Sequence, residues 1–237
     1  TNDASATGIG SIDSTGSVNT DAGFSIMSYT GTGSVETFAH GLNSAPELVI
    51  LRNREVASNW WVWGELLGNN QIMELDTTSA KYNPNGNYHN DTMPTSSVIS
   101  IGSDGQVSGN GQSHICYAFH SVQGYSKFSS YIGGGSNFPF IYTGFKPAFM
   151  MVKRAVGGTG SWAITDGKRD PFNAVDNYLS ANNANAESDF DHADFLSNGI
   201  KFRTNNDGWN LSGDTYIYMA FASNPLVTSS GVPATAR

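Results

Sequence analysis

The sequence has a single cysteine, few charged residues and no long hydrophobic run. Cys116 is the only cysteine among 237 residues, which excludes an intramolecular disulfide and a metal site built from several thiolates. Charged residues make up 14% of the chain, and the formal net charge of −8 argues against a nucleic-acid-binding protein. No run approaches the roughly 18 apolar residues of a transmembrane helix, so we expect no membrane insertion.

Sequence motifs of the common enzyme classes are also missing. The chain has no G-x-S-x-G elbow, no H-E-x-x-H pair and no phosphate-binding glycine loop. Its five histidines are scattered without the spacing of metal ligands. We therefore expect a non-enzymatic protein without a cofactor or a bound metal. A carboxylate pair that cleaves a glycan leaves no characteristic spacing, so a glycan-cleaving enzyme stays open as an alternative.

What the chain does contain is uncharged polar residues in large number. Gly, Ser, Asn and Thr supply 97 of the 237 residues, a bias that favours turns and short strands over long helices. Hydrophobic residues still make up 38% and aromatic residues 12%, enough for a folded core. Turn signals recur about every 8–12 residues, which is typical of β-sandwiches.

Four sequence anchors recur once each at an almost constant spacing. Each anchor and its repeat are Ser28–Ser34 with Ser130–Ser136, Pro46–Arg52 with Pro147–Lys153, Trp61 with Trp162, and Ile115–Phe119 with Ile217–Phe221. The spacing is 101 or 102 residues throughout. Self-similarity at a fixed period indicates a duplication. We therefore predict two repeats of about 100 residues, 23–122 and 123–224.

The predicted fold class is all-β, with each repeat a jelly-roll-like β-sandwich. Residues 1–22 have few apolar side chains and are predicted to be a linker, and residues 225–237 a C-terminal tail. The one helix candidate in the sequence is Asn173–Leu179.

The repeat also suggests which tryptophans are buried. Trp61 and Trp162 align, so both are predicted to be core residues. The alternation of a strand places Trp60 on the opposite face, and the same alignment puts Ser161 at its counterpart. Because no folding role for an outward Trp60 is visible, we predict that it binds a ligand. The alternative is that a neighbouring repeat or another subunit covers it.

Two loop regions carry further candidates. The insert Ala80–Pro94 is polar, aromatic and rich in turn residues, and its Tyr88 and His89 are secondary candidates for ligand binding. A plain surface loop is the alternative. The corresponding region of the second repeat is acidic through Glu187, Asp189, Asp191 and Asp194. Its spacing lacks the pattern of a calcium-binding loop, which favours a solvated acidic loop without metal.

Several segments resemble a known repeat family of tailed bacteriophages. They include GFSIMSYTGTGS, HGLNSAPELVILR, GYSKFSSYIGGGS and YTGFKPAFMMVKR, which are Gly23–Ser34, His40–Arg52, Gly124–Ser136 and Tyr142–Arg154. The family is abundant in marine and cyanobacterial phages and is usually labelled as a tail-fibre or structural protein of unknown function. The resemblance implies a location in the virion and supplies no agreed catalytic residues.

Composition, repeat and resemblance lead to one expected function and one main alternative. We expect a tail-fibre or receptor-binding module that contacts a host-surface glycan or protein. Its other expected partners are virion proteins and further copies of the chain, as a homotrimer. The alternative is a purely structural virion protein that serves in decoration or assembly.

Overall fold

The computed structural model of the chain describes residues 1–224 and is nearly all β. Strands hold 42% of the residues and helices 5%, so the predicted fold class is confirmed. No helix among residues 1–224 is long and apolar enough to cross a membrane. The chain divides into two compact units. Among the described residues, unit 1 comprises Thr1–Leu75 and Lys81–His120, and unit 2 comprises Asp76–Ala80 and residues 121–224.

Unit 1 contains one six-stranded antiparallel sheet and a separate strand pair. Its elements in chain order are α1 (Ala4–Thr7), β1 (Thr15–Asn19), β2 (Phe24–Thr30), β3 (Glu36–Ala39), β4 (Leu48–Asn53), β5 (Trp61–Trp63), β6 (Met73–Glu74), β7 (Val98–Ile101), α2 (Gly105–Ser108) and β8 (Ser113–Phe119). The sheet order is β1-β2-β8-β4-β5-β6, and β3 pairs with β7. The core lies on one face of the sheet and includes Met27, Leu51, Trp61, Trp63 and Cys116.

Unit 2 contains one eight-stranded antiparallel sheet. Its elements are β9 (Ser126–Ile132), a 3-10 turn (Gly135–Asn137), β10 (Phe140–Tyr142), β11 (Pro147–Val156), β12 (Ala163–Asp166), β13 (Val175–Ser180), β14 (Ser188–Leu196), β15 (Gly199–Phe202) and β16 (Thr215–Ala222). The order is β10-β15-β14-β13-β12-β11-β16-β9. Its core includes Tyr131, Val152, Phe195, Trp209 and Tyr216.

The two units share one topology. The order β2-β8-β4-β5-β6 of unit 1 matches β9-β16-β11-β12-β13 of unit 2, and the pair β3–β7 matches β10–β15. In unit 2 the additional strand β14 joins the two parts into a single sheet. The same tyrosine hydrogen bond recurs as well: the hydroxyl of Tyr29 donates to Val107 O at 2.5 Å, and that of Tyr131 donates to Trp209 O at 2.6 Å. The two units therefore share a strand order and this tyrosine contact.

The prediction that residues 1–22 form a linker is wrong. Thr15–Asn19 is strand β1, which pairs along the outer edge of β2 and is joined to it by a turn in which Gly23 has φ +62°. The side chain of Ser14 is buried and donates to Ala39 O at 2.7 Å. All five residues of β1 are exposed, so the strand is held by its backbone hydrogen bonds. Its sequence therefore lacks the alternation of apolar and polar residues by which a strand is predicted. The predicted tail, residues 225–237, lies outside the described residues.

The helix predicted at Asn173–Leu179 is also wrong. Val175–Ser180 is strand β13, which pairs with β12 on one side and β14 on the other. Asp and Asn are weak helix formers, so the strand pairing on both sides decides the local conformation.

Candidate functional site

The strand register changes the repeat alignment at the tryptophans. In unit 1 Leu51 lies opposite Trp61, whereas its repeat counterpart Val152 lies opposite Ala163. The spacing at this strand is therefore 102 residues, and Trp162 is the structural counterpart of Trp60. Trp61 belongs to the core cluster of unit 1, as predicted. Trp162 is buried too, at 3% exposure, but it lies on the other face of its sheet.

The side chain of Trp60 contacts Arg52, an interaction that sequence analysis did not predict. Arg52 Cζ lies 5.1 Å from the centre of the Trp60 ring, and at the equivalent place Lys153 Nζ lies 5.9 Å from the centre of the Trp162 ring. A cation over an aromatic face is a stabilising arrangement, and both repeats have it. The comparison with Ser161, on which the prediction for Trp60 depended, is therefore wrong by one residue. Ligand binding by Trp60 itself stays a prediction.

The structure does not bring Trp60, Tyr88 and His89 together. The rings of Tyr88 and Trp61 are 4.1 Å apart, and His89 lies edge-on to Trp63 at 6.0 Å. Trp61 and Trp63 point into the core, so Tyr88 and His89 lie on the inner face of β5. Trp60 lies on the outer face, because successive side chains of a strand alternate. The three predicted residues therefore do not form one site.

The insert that carries Tyr88 and His89 closes the core of unit 1. His89 is only 1% exposed, and its Nδ1 accepts the Asp91 N–H at 3.1 Å. Burial lowers the pKa of His89 below its ordinary value, which keeps the ring neutral. The carbonyl of Tyr88 accepts the N–H of Gly102 at 2.8 Å, which ties the insert to the end of β7. The contacts of both residues are those of a packed, structural segment.

The acidic stretch of unit 2 is a strand rather than the loop that we expected. Ser188–Leu196 forms β14 between β13 and β15. Two of its carboxylates form ion pairs, Glu187 with Arg169 at 2.9 Å and Asp194 with Arg203 at 2.8 Å. No group of three or more His, Cys, Asp or Glu side chains among residues 1–224 is arranged to hold a metal ion.

Unit 2 has a cleft of the size of a ligand site, which we call the β12–β13 cleft. It has a volume of about 430 Å³ and lies where the start of β11, the loop between β12 and β13, and the residues after β16 meet. Its wall includes Lys146, Lys168, Asp170, Phe172 and Asn173. The volume falls within the range of about 300–1,000 Å³ that is usual for ligand sites.

The first half of the loop between β12 and β13 is fixed by hydrogen bonds and two ion pairs. Asp166 Oδ1 accepts the N–H groups of Lys168 and Arg169, both at 2.9 Å. The Arg169 guanidinium also pairs with Asp166 at 3.1 Å and with Glu187 at 2.9 Å. The N–H of Gly167 donates to Ala148 O at 2.8 Å, which ties the loop to β11.

The second half of the loop is fixed by Asp170 and Asn173. The Asn173 amide accepts the Phe195 N–H at 2.9 Å and donates to Phe195 O at 3.1 Å. Asp170 Oδ2 accepts the N–H groups of Asp176 and Asn177, and its Oδ1 accepts the Asn177 amide at 2.6 Å. Partial burial raises the pKa of Asp170, but these hydrogen bonds outweigh it and lower the pKa overall. Asp170 is therefore an ionised anchor of the loop.

Phe172 projects from this braced loop with 83% of its surface exposed. A large apolar ring in water has no folding role here, whereas a rigid exposed aromatic offers stacking area at low entropic cost. Lys146 and Lys168 are exposed, and neither makes an ion pair or side-chain hydrogen bond with any of residues 1–224. Their repeat counterparts are Ala45 and Leu66, so the two cations are particular to unit 2.

Sequence analysis did not select any of the residues on the wall of this cleft. The available signal was weak: a phenylalanine directly after the charged turn Lys168–Pro171, at a place where the repeats diverge. Phe172 directly precedes the helix predicted at Asn173–Leu179, and nothing in the sequence marks it as exposed.

Comparison with known proteins assigns the chain to a family without adding a function. The sequence matches the family described as a domain of unknown function, DUF7483, over residues 1–225, which spans both units. No curated protein matches the chain significantly. No solved structure does either.

Proposed function

The chain belongs to the DUF7483 family, and we propose that it is a non-enzymatic receptor-binding module of a phage tail fibre that attaches to a glycan on the host surface. The observation that carries the proposal is the β12–β13 cleft, with the exposed ring of Phe172 on a braced loop beside polar and charged side chains. Sugars present apolar ring faces and hydroxyl groups, and a site of this composition can contact both.

The location in a phage virion is supported by the resemblance of four segments to the phage repeat family. These segments lie at equivalent places in the two units, in the regions of β2, β4, β9 and β11. Each of them contains all or most of a long strand of its unit, so the resemblance extends over the central sheet of both units.

The non-enzymatic character is supported by the acid–base groups of the cleft. Glycoside cleavage generally requires two carboxyl groups facing the same bond. Asp170 is the one carboxylate among the described residues that line the cleft, and hydrogen bonds from Asp176 and Asn177 of β13 occupy both of its oxygens. This arrangement suits binding without chemistry.

A second candidate function, a structural virion component, is favoured by the edge strands of unit 2. Ile132 at the end of β9 is 67% exposed and Tyr142 on β10 is 64% exposed. In unit 1 strand β1 covers the edge of β2, but no strand among residues 1–224 covers the equivalent edge of β9. Exposed apolar side chains on open edges are suited to contacts between subunits, as in the proposed homotrimer.

An array of bacterial surface polysaccharides, probed with the full chain, tests the proposed function. We expect the wild-type chain to bind a subset of the glycans and Phe172→Ala to lose at least about tenfold in affinity for them, about 1.4 kcal/mol. Phe190→Ala is the matched control, because Phe190 is an exposed phenylalanine of unit 2 that does not line the cleft. Equal binding by wild type and Phe172→Ala, or a folded wild type that binds no glycan, would contradict the proposal.

A further inference from the structure

We propose that the glycan of the β12–β13 cleft is acidic, with its carboxylate or sulfate bound by Lys146 and Lys168 and a sugar ring stacked on Phe172. The inference rests on the proposed function and names the chemical class of its ligand. It depends on three features of the cleft: two cations without partners among residues 1–224, one carboxylate that is already engaged, and an exposed aromatic ring on a braced loop.

The two lysines differ from most cationic side chains of the chain. Lys81 donates to Leu67 O at 2.8 Å, Lys201 to Phe138 O, and Arg203 pairs with Asp194. Lys146 and Lys168 have no such partner among residues 1–224, yet both line the same cleft. Ammonium groups of this kind form their strongest hydrogen bonds with an anionic acceptor.

The carboxylate in the cleft does not neutralise them. Asp170 accepts three hydrogen bonds from Asp176 and Asn177, and it forms no ion pair with either lysine. Its carboxylate accepts hydrogen bonds from the start of β13 and so fixes the loop. The lysines are therefore available to a ligand, and the ligand's anionic group complements them.

The backbone positions of the three ligand-facing residues are fixed in advance. Lys168 N–H is held by Asp166, and Lys146 O accepts the Ser223 N–H at 2.9 Å. Phe172 lies between the anchors Asp170 and Asn173. A site that needs no backbone rearrangement loses less free energy on binding. The side chains of Lys146, Lys168 and Phe172 are what the ligand has to order.

A matched pair of oligosaccharides tests the charge requirement. Oligogalacturonate and its fully methyl-esterified form share one sugar backbone, and only the first carries charge. We expect the full chain to bind the acidic form at least about tenfold more tightly in low salt, with a preference that declines as NaCl screens the charges. Lys146→Gln and Lys168→Gln should each remove most of this preference. Lys127→Gln is the control, since it removes the same charge from unit 2 outside the cleft.

The outcomes separate this inference from the proposed function. If both forms bind equally and the lysine variants change nothing, the acidic class is wrong, while glycan attachment through Phe172 stands. If Lys127→Gln weakens binding as much as Lys146→Gln, the preference comes from net charge and the assignment to the cleft is overturned. If Phe172→Ala leaves binding to both forms unchanged, both the acidic-ligand inference and the proposed function are contradicted.

Discussion

At one pair of equivalent positions, unit 2 has an ion pair where unit 1 has a hydrogen bond between two amide side chains. The pair of unit 1 can therefore be introduced into unit 2 by substitution. In unit 2 the guanidinium of Arg154 pairs with Asp214 at 2.5 Å, and both side chains are almost buried. The equivalent residues of unit 1 are Asn53 and Gln112, whose side chains form a hydrogen bond of 2.7 Å. Both pairs fix the segment that leads into the last strand of their unit.

We predict that Arg154→Asn destabilises the protein by about 3–5 kcal/mol, because Asp214 is left as a nearly buried charge without its partner. The double variant Arg154→Asn with Asp214→Gln should recover most of this loss, since it installs the neutral pair that unit 1 already uses. Removal of a buried ion pair as a whole is often close to neutral.

Urea denaturation of the wild type, both single variants and the double variant, monitored by tryptophan fluorescence, gives the coupling energy of the pair. Asp214→Gln alone leaves Arg154 with backbone carbonyl partners at Gly157 and Thr159 and should cost less than Arg154→Asn. A double variant that is no more stable than Arg154→Asn would refute the reasoning and the structural equivalence of the two sites.

Three further predictions follow from buried side chains. Trp61→Ala should destabilise by about 3–5 kcal/mol by opening a cavity in the core of unit 1, and a loss below about 1 kcal/mol in a urea melt would place Trp61 outside the core. Burial raises the pKa of the Cys116 thiol, so a thiol-specific reagent should label it only after denaturation; rapid labelling of the native protein would contradict its burial. Burial lowers the pKa of four histidines, so stability should be intact above about pH 6.5 and fall towards pH 5.5, by up to about 1.4 kcal/mol per pH unit for each group; an unchanged urea midpoint between pH 7.5 and 5.5 would contradict it. These histidines are His40, His89, His114 and His192.

The sequence predicted the repeated β architecture because the repeat is carried by the core strands. Residues such as Tyr29 and Tyr131 keep both their strand partners and their hydroxyl hydrogen bonds in the two units. Strand β1 could not be predicted, since it contributes backbone hydrogen bonds and no buried side chains. Its pairing depends on the edge of β2, which is a property of the folded sheet.

The repeat alignment behind the Trp60 prediction was wrong because the spacing changes between two strands. The repeat is 101 residues apart at β4 and 102 at β5, so one residue is inserted in unit 2 between these strands. A single-residue slip moves every side chain of a strand to the other face, and it turned Trp60 into an apparent exception. The cleft was missed for another reason: its residues come from four separate segments, and only the fold brings Lys146, Lys168 and Phe172 to one place.

The central claim is that the ligand-binding site lies in the β12–β13 cleft of unit 2. The isotope-labelled full chain is titrated with a glycan that it binds on the array, and the amide chemical shifts are followed by NMR. This experiment tests the claim directly. We predict that the largest shift changes occur at Gly167, Lys168, Phe172 and Asn173, which share the cleft. Changes centred on Trp60, or on the insert with Tyr88 and His89, would contradict it and return the site to unit 1.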